Sequence, residues 1–207
     1  MRKVDKSSSP QEFEEWKELA NEEWTPSWEN FQNPEKQAVL TSLIEDQGGI
    51  CCYCECEIDP NQSHIEHILP RSKFSDQKLD YQNLLASCQR ETDKGEPLTC
   101  GKARGDWYDV ELYLNPCDSN SSSKITYLMD GRVKATEEKF EKFISELNLD
   151  SRGKRDARLA VISVLIEDEE LSDEDVREVL EAWRQPGGYK PHISALEAAA
   201  MEFYAIA

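Results

Sequence analysis

The spacing of apolar positions changes along this chain, and each change predicts a different kind of element. Phe13, Trp16 and Leu19 or Ala20 fall on one helical face, behind a start signal of Ser9 as N-cap, Pro10 in the first turn and Glu12 closing a capping box. Trp24 and Trp28 flank Pro26 in a turn or short helix, either packed on the core or held out as anchors for another protein. Asn33-Pro34 opens a second helix with Val39, Leu40, Leu43 and Ile44 as its buried stripe, and Gly48-Gly49 stops it. Period two then takes over. Residues 64 to 69 alternate as a strand, with His64 and Glu66 on one face and Ile65 and His67 on the other, until Pro70 ends it. Leu84-Leu85 then begin a short apolar helix behind Asn83.

After Cys117 the run Asp118-Ser119-Asn120-Ser121-Ser122-Ser123 reads as a loop or boundary. Ile125 to Met129 and Arg132 to Lys134 flank Asp130-Gly131, a hairpin turn signal. The last third is helical. Thr136 caps a helix carrying Phe140, Phe143, Ile144 and Leu147, and Leu159, Ile162, Val164, Leu165 and Ile166 mark a second one. Ser172 to Asp175 cap a third with Val176, Val179, Leu180 and Trp183, which Gln185-Pro186-Gly187-Gly188 breaks. An Ala-rich segment runs from Ser194 to Ala207. There are no internal repeats. The pattern predicts an α+β chain in three parts: a helical lead-in over 1–33, a cysteine-bearing unit over 34–117, and a hairpin with helices over 118–207.

Composition narrows the class. The chain has 207 residues, 38% of them apolar, with a mean hydropathy of −0.72, so it can build a core beneath a large wet surface. No apolar run approaches the roughly 20 residues of a membrane span, and no hydrophobic signal region follows Met1-Arg2-Lys3. All seven cysteines lie between residues 51 and 117, which favours zinc over a disulfide framework and the cytoplasm over an oxidising compartment. The net charge of −18 argues against simple binding of nucleic acid. Its distribution softens that objection. Residues 71 to 105 carry seven Lys/Arg against five Asp/Glu, whereas 137 to 183 carry seven against fifteen. The acidic helical part therefore suits solvent or a protein partner.

The chemistry-bearing residues lie in the middle part. Cys51 and Cys54, at Cys-x-x-Cys spacing, can aim two sulfurs at one tetrahedral ion, and Cys88 with Cys100 supplies a second, wider pair. Cys52 or Cys56 could replace one of these four, and Cys117 is a further spare thiol. Such a site is structural and staples a core too small to hold itself. Ten residues beyond Cys54, His64-Ile65-Glu66-His67 places a carboxylate directly before an imidazole. A neutral imidazole at His67 can act as general base toward water, and Glu66, facing the other way, can ligate a Mg2+- or Mn2+-like ion.

In this order the motifs resemble the HNH endonucleases, which hold one divalent ion against a scissile phosphate in a ββα-metal core. The likeness spans roughly residues 34 to 117. It implies catalytic roles for His67 and Glu66, and for Asn83 a side chain that fixes the loop bearing the catalytic histidine. The plain alternative for Asn83 is a helix N-cap. Many relatives place His or Asn directly after the last zinc cysteine as a second ligand of the catalytic metal; here Gly101 stands there. His64 ranks first as the replacement, ahead of Asp93, Asp106 or water. Lys102 and Arg104, where relatives carry a Lys, and Arg71 beyond the strand would contact phosphate.

A closer likeness reaches further, through Cys-Cys-Tyr-Cys-Glu, His-Ile-Glu-His, Asn-Leu-Leu-Ala-Ser-Cys, Cys-Gly-Lys-Ala-Arg-Gly-Asp-Trp, the Tyr-Leu-Met-Asp-Gly hairpin and Leu147-Asn148-Leu149 with Arg155 and Arg158. This set is similar to the HNH subunits of Septu-type anti-phage systems, also found beside some retrons. The likeness implies a nuclease acting on nucleic acid, DNA first, beside a PtuA-like ATPase of the ABC/SMC-like class. Two other functions compete. A free-standing HNH nuclease of restriction or homing type should carry its own basic DNA-reading module, and none is visible. A catalytically dead, zinc-stapled interaction module would bind no metal besides zinc.

Overall fold

Proline decides where the first helix starts in the computed structural model, which describes residues 1–89, 95, 97–166, 171–185 and 188–206. Pro10 itself occupies the cap position of α1 (Gln11–Glu18), so Ser9 falls one residue too early to reach the first free N–H groups. The expected Ser9 cap does not form. Phe13 and Trp16 turn inward, whereas Leu19 stays exposed. Phe31 gathers them into an aromatic cluster, with ring centroids 4.8 Å from Phe13, 5.1 Å from Trp16 and 5.6 Å from Trp28. Trp24 meets Trp16 edge-on at 5.7 Å. Both open tryptophans are therefore partly buried against the core and are not free anchors.

Helix α2 (Glu35–Asp46) buries Val39, Leu40 and Leu43 and ends at Gly48 and Gly49, whose φ values of +64° and +81° suit glycine. The chain then enters a tight loop closed by the Ile50–Glu57 bridge and by Cys51 N–H donating to the Cys56 carbonyl at 2.8 Å. Strand β1 (His64–His67) pairs antiparallel with β2 (Leu84–Ser87), His64 opposite Ser87 and His67 opposite Leu84. Strand β2 stands where a helix was expected. All four of its residues are buried, so both faces are covered and the alternation that marks a strand is missing from Leu-Leu-Ala-Ser. A five-residue helix, α3 (Cys100–Arg104), closes this unit.

The predicted hairpin forms from β3 (Ile125–Tyr127) and β4 (Val133–Ala135). A Cβ on Gly131, at φ +79°, would lie 2.3 Å from the Arg155 carbonyl, so the turn admits only glycine. Thr136 does not cap the next helix; its hydroxyl donates to the Ser123 carbonyl, and α4 (Glu141–Glu146) begins later, after a 3-10 turn. Helices α5 (Arg152–Ile166), α6 (Asp173–Trp183) and α7 (Ile193–Tyr204) follow, α6 with the expected Ser172–Asp175 capping box. The predicted break at Pro186-Gly187 lies outside the described residues.

Two apolar cores result. One joins Phe13, Phe31, Leu43, Tyr53, Leu84, Leu85, Phe143 and Leu147. The other joins Ile50 to Ile162, Leu165, Val176, Leu180, Leu196 and Ala199. Of the expected α5 stripe only Ile162 and Leu165 are buried, while Leu159, Val164 and Ile166 are partly exposed. Polar bonds stitch the cores together. Ser194 donates its hydroxyl and its N–H to the Glu55 carboxylate at 2.6 and 2.9 Å, and Tyr189 N–H reaches the Gly48 carbonyl at 2.6 Å, while within the first core Cys100 N–H reaches the Leu147 carbonyl at 2.7 Å.

Candidate active site

The cysteine loop, the far end of β2 and the start of α3 converge. The sulfurs of Cys51, Cys54, Cys88 and Cys100 all lie within 4.8 Å of one another, and all four residues are buried. A tetrahedral ion with Zn–S bonds of about 2.3 Å requires sulfurs about 3.8 Å apart, and Cys54 and Cys88 stand at 3.8 Å. The donor set and its spacing fit zinc. Cys88 N–H donates to the Cys51 sulfur at 3.5 Å, and the Ser87 hydroxyl lies 3.8 Å from the same atom. Lys154 of α5 points its ammonium at Cys88, 3.7 Å away. Burial alone would lower the Lys154 pKa, but the surrounding cysteines, Cys54 and Cys100 first, outweigh it and raise it. Cys56 stands 3.4 Å from Cys54 as a fifth sulfur beside the group, while Cys52 and Cys117 are not among the four.

The residue after Cys100 belongs to a second polar cluster. Glu66 and His64 project from the same face of β1, with Glu66 Oε2 3.6 Å from His64 Nε2. A Cβ on Gly101 would lie 2.4 Å from that Glu66 oxygen and 2.9 Å from His64 Nε2. The carboxylate cannot retreat, because Arg104 holds its other oxygen at 2.7 Å and the Tyr53 hydroxyl donates to it at 3.3 Å. Glycine at 101 is thus the room that the carboxylate and imidazole occupy. His64 Nδ1 is buried and has no hydrogen-bond partner among the described residues. The carboxylate and imidazole, 3.6 Å apart, form a donor set of the kind that holds a hard divalent ion.

Arg104 is not a surface cation. It is 4% exposed, donates to the backbone carbonyls of His67 and Ile68 as well as to Glu66, and lies over the Tyr113 ring at 5.2 Å. Its last-turn position on a five-residue helix carries the side chain back beneath β1, so the expected phosphate contact there gives way to an internal clamp. Lys102 and Arg71 are exposed. Asp106 is exposed two residues beyond α3, and Asp93 lies outside the described residues.

His67 ends β1 and is 5% exposed. Its Nε2 lies 3.0 Å from the Lys78 carbonyl, which can only accept, so Nε2 carries the proton and Nδ1 the lone pair. Burial, more than the opposing Lys78 bond, lowers its pKa to about 4, so the ring is neutral at neutral pH. Trp28 meets the imidazole edge-on, with centroids 4.4 Å apart. Asn83 caps no helix, since β2 follows it. Its Oδ1 accepts from Leu69 N–H at 2.8 Å, and its Nδ2 donates to the Leu69 and Gln77 carbonyls at 3.2 and 2.9 Å. Asn83 thereby ties together both ends of the segment between β1 and the Lys78 carbonyl. The sequence places Trp28 either in the core or at a partner surface and not beside His67, and it gives Tyr53 and Tyr113 no site role, although Tyr53 stands inside the Cys-x-x-Cys motif.

No family model matches the chain. Over 78 residues, 35% of this chain and 30% of the relative, it is 33% identical to the Septu protein PtuB of Bacillus thuringiensis. It is 29% identical over 133 residues, 61% of this chain and 62% of the relative, to a protein of Vibrio cholerae serotype O1 biovar El Tor named as an HNH endonuclease of retron Vc95. A protein of Escherichia coli named as an HNH endonuclease of retron Ec83 is 31% identical over 108 residues, 46% of this chain and 37% of the relative. The matched stretches thus span less than two thirds of each relative's own length. The chain is similar, over part of its length, to proteins named for a Septu system and for retron HNH endonucleases. Among the described residues, no helix is long and apolar enough to cross a membrane.

Proposed function

We propose that the chain is a cytoplasmic, metal-dependent HNH endonuclease that hydrolyses phosphodiester bonds, of DNA first, inside an anti-phage defence complex. The observation that carries this reading is the pairing on one short strand of a clamped carboxylate with a tautomer-fixed imidazole. The antiparallel pair β1–β2 with α3 packed beside it supports a ββα-metal core. Cys51, Cys54, Cys88 and Cys100 would hold a structural zinc, and Glu66 with His64 would hold a catalytic Mg2+ or Mn2+. That second ion supplies charge stabilisation for the phosphate and the leaving oxygen when bound.

The chain's own residues perform the rest. His67, with Nε2–H engaged by Lys78, presents its Nδ1 lone pair as acceptor for a water proton, and its low pKa keeps that lone pair free at neutral pH. Asn83 holds the loop that carries the Lys78 carbonyl, and so fixes which way the imidazole faces. Arg104 fixes the rotamer of Glu66 through one oxygen and leaves Oε2 toward His64. Arg71 and Lys102 are the exposed cations for phosphate. The likeness to a Septu PtuB and to retron proteins supports a defence setting with a PtuA-like ATPase, and the acidic C-terminal helices suit such a partner better than nucleic acid.

Supercoiled plasmid cleavage with Mg2+ or Mn2+, with and without a PtuA-like ATPase, tests this. Wild-type chain in complex should nick the plasmid, and His67→Ala should lose at least a hundredfold in rate while keeping its zinc. Cleavage by His67→Ala at the wild-type rate would refute the assignment.

A further inference from the structure

Beside the proposed active site lies a cavity of about 240 Å3 lined by Trp28, Asn33, Lys36, Ser63, His64 and Arg71, among others. Three observations set it apart. It opens directly onto His64, one side of the Glu66–His64 pair. Its aromatic wall, Trp28, is the ring that packs on His67 at 4.4 Å. Two cations stand over that same indole, the Arg71 guanidinium at 5.0 Å and the Lys36 ammonium at 5.2 Å from its centroid. In a chain of net charge −18, an aromatic ring flanked by two cations and touching a candidate nuclease histidine is a local reversal of the overall sign.

An aromatic face with adjacent cations is how proteins hold single-stranded nucleic acid, because every base offers a π-face and every linkage a phosphate. The cavity is too small for a duplex and comparable to one nucleoside. We infer that it takes one unstacked nucleotide next to the scissile phosphate, its phosphate drawing the long Arg71 and Lys36 side chains off the indole and its base taking the Trp28 surface they cover. This rests on the nuclease reading for the word scissile, and on the cavity itself for the rest. A base paired and stacked in a duplex would have to be turned out before entering. Single strands, loops and frayed ends are therefore the preferred substrates.

The test is fluorescence anisotropy of full-length chain with a 5′-labelled thymidine 12-mer and with the matching 12-base-pair duplex, at low and moderate salt without Mg2+. The single strand should bind at least tenfold tighter than the duplex. Trp28→Ala should erase that preference, weakening single-strand binding about tenfold, within the range that base stacking on an aromatic contributes. Trp28→Phe should retain most of it. Lys36→Ala, more distant from His67, should weaken binding and lower the salt slope by about 0.7, as loss of one phosphate contact on a single strand does. Equal binding of strand and duplex, or single-strand binding unchanged in both Trp28→Ala and Lys36→Ala, would overturn the inference. The two readings fail separately. Plasmid cleavage alongside Trp28-independent binding removes the subsite and leaves the nuclease, whereas Trp28-dependent binding without any cleavage leaves the subsite and removes the nuclease.

Discussion

Two polar clusters meet at neighbouring residues of α3. Cys100 turns its sulfur into the group of four thiols, and Gly101 opens the space filled by Glu66 and His64. Each cluster leans on one cation delivered by another turn of chain. The thiols have Lys154, a single contact at 3.7 Å from a helix of the second core. Glu66 has Arg104 at 2.7 Å, with further bonds to the His67 and Ile68 carbonyls. The thiol cluster is closed, buried and spaced for a tetrahedral ion, which suits it to the part of a staple. The carboxylate cluster is braced on one side only, one oxygen clamped and the other facing an imidazole whose Nδ1 has no hydrogen-bond partner among the described residues. A staple must be satisfied from every side. A reactive site needs one direction left open.

That contrast can be broken first at the zinc. Structural zinc contributes on the order of 10–16 kcal/mol of apparent binding energy in small zinc-dependent peptides. The four sulfurs come from the loop, the end of β2 and the start of α3, so an ion held there would tie these three pieces to one another, and stripping zinc should remove both clusters together. Hydrogen exchange on chelator-treated chain should show β1, β2 and α3 unprotected, while the core of Ile162, Val176, Leu180 and Leu196 stays protected. Metal analysis finding no zinc in a chain whose exchange pattern is native would end the idea of a staple.

Breaking the second cluster should not disturb the first. Removing one partner of a buried, hydrogen-bonded charge pair costs about 3–5 kcal/mol, and Arg104→Ala leaves Glu66 buried, with Tyr53 and His64 beside it but no cation in place of the guanidinium. Urea unfolding should register a loss in that range, with zinc content unchanged at one per chain. Arg104→Lys should recover part of the charge term but not the carbonyl bonds, since one ammonium cannot reproduce the planar fork. A cost below about 1 kcal/mol for Arg104→Ala, well under the 3–5 expected for a buried pair, would mean that Glu66 has other support.

How much of this was legible in the sequence depends on how local each signal is. The Cys-x-x-Cys spacing and the Glu66-His67 pair are carried by a few adjacent residues, and the described structure brings the four cysteines together. Leu84 to Ser87 misled because a strand covered on both faces has no alternation to read. Arg104 misled for a different reason: a charge after a cysteine is a surface cation by default, and only the fold turns it inward. Trp28 lies 39 residues before His67, and Lys154 lies 66 after Cys88, so neither contact has any trace in local pattern. Gly101 was read as a missing ligand, when its lack of a side chain is what admits the carboxylate of Glu66.

The smallest expected effect sharpens the comparison most, because it asks whether the two cations do the same job. Zinc held by four thiolates leaves a net charge of about −2 in a buried place, and Lys154 is the cation that the described structure puts there. Its contact is longer than the Arg104 bonds and engages a soft sulfur, so its share of stability should be lower. Lys154→Met keeps the apolar stem and removes the charge; it should cost about 1–2 kcal/mol, near the lower end for hydrogen bonds to charged groups. The sharper readout is kinetic. Zinc transfer to a coloured chelator should run several-fold faster in Lys154→Met than in wild type, and at the wild-type rate in Arg104→Ala. If Lys154→Met gives up its zinc no faster than wild type, the cation merely fills space at the seam between the cores, and the charge of the staple is balanced by the backbone N–H of Cys88 and the hydroxyl of Ser87 instead.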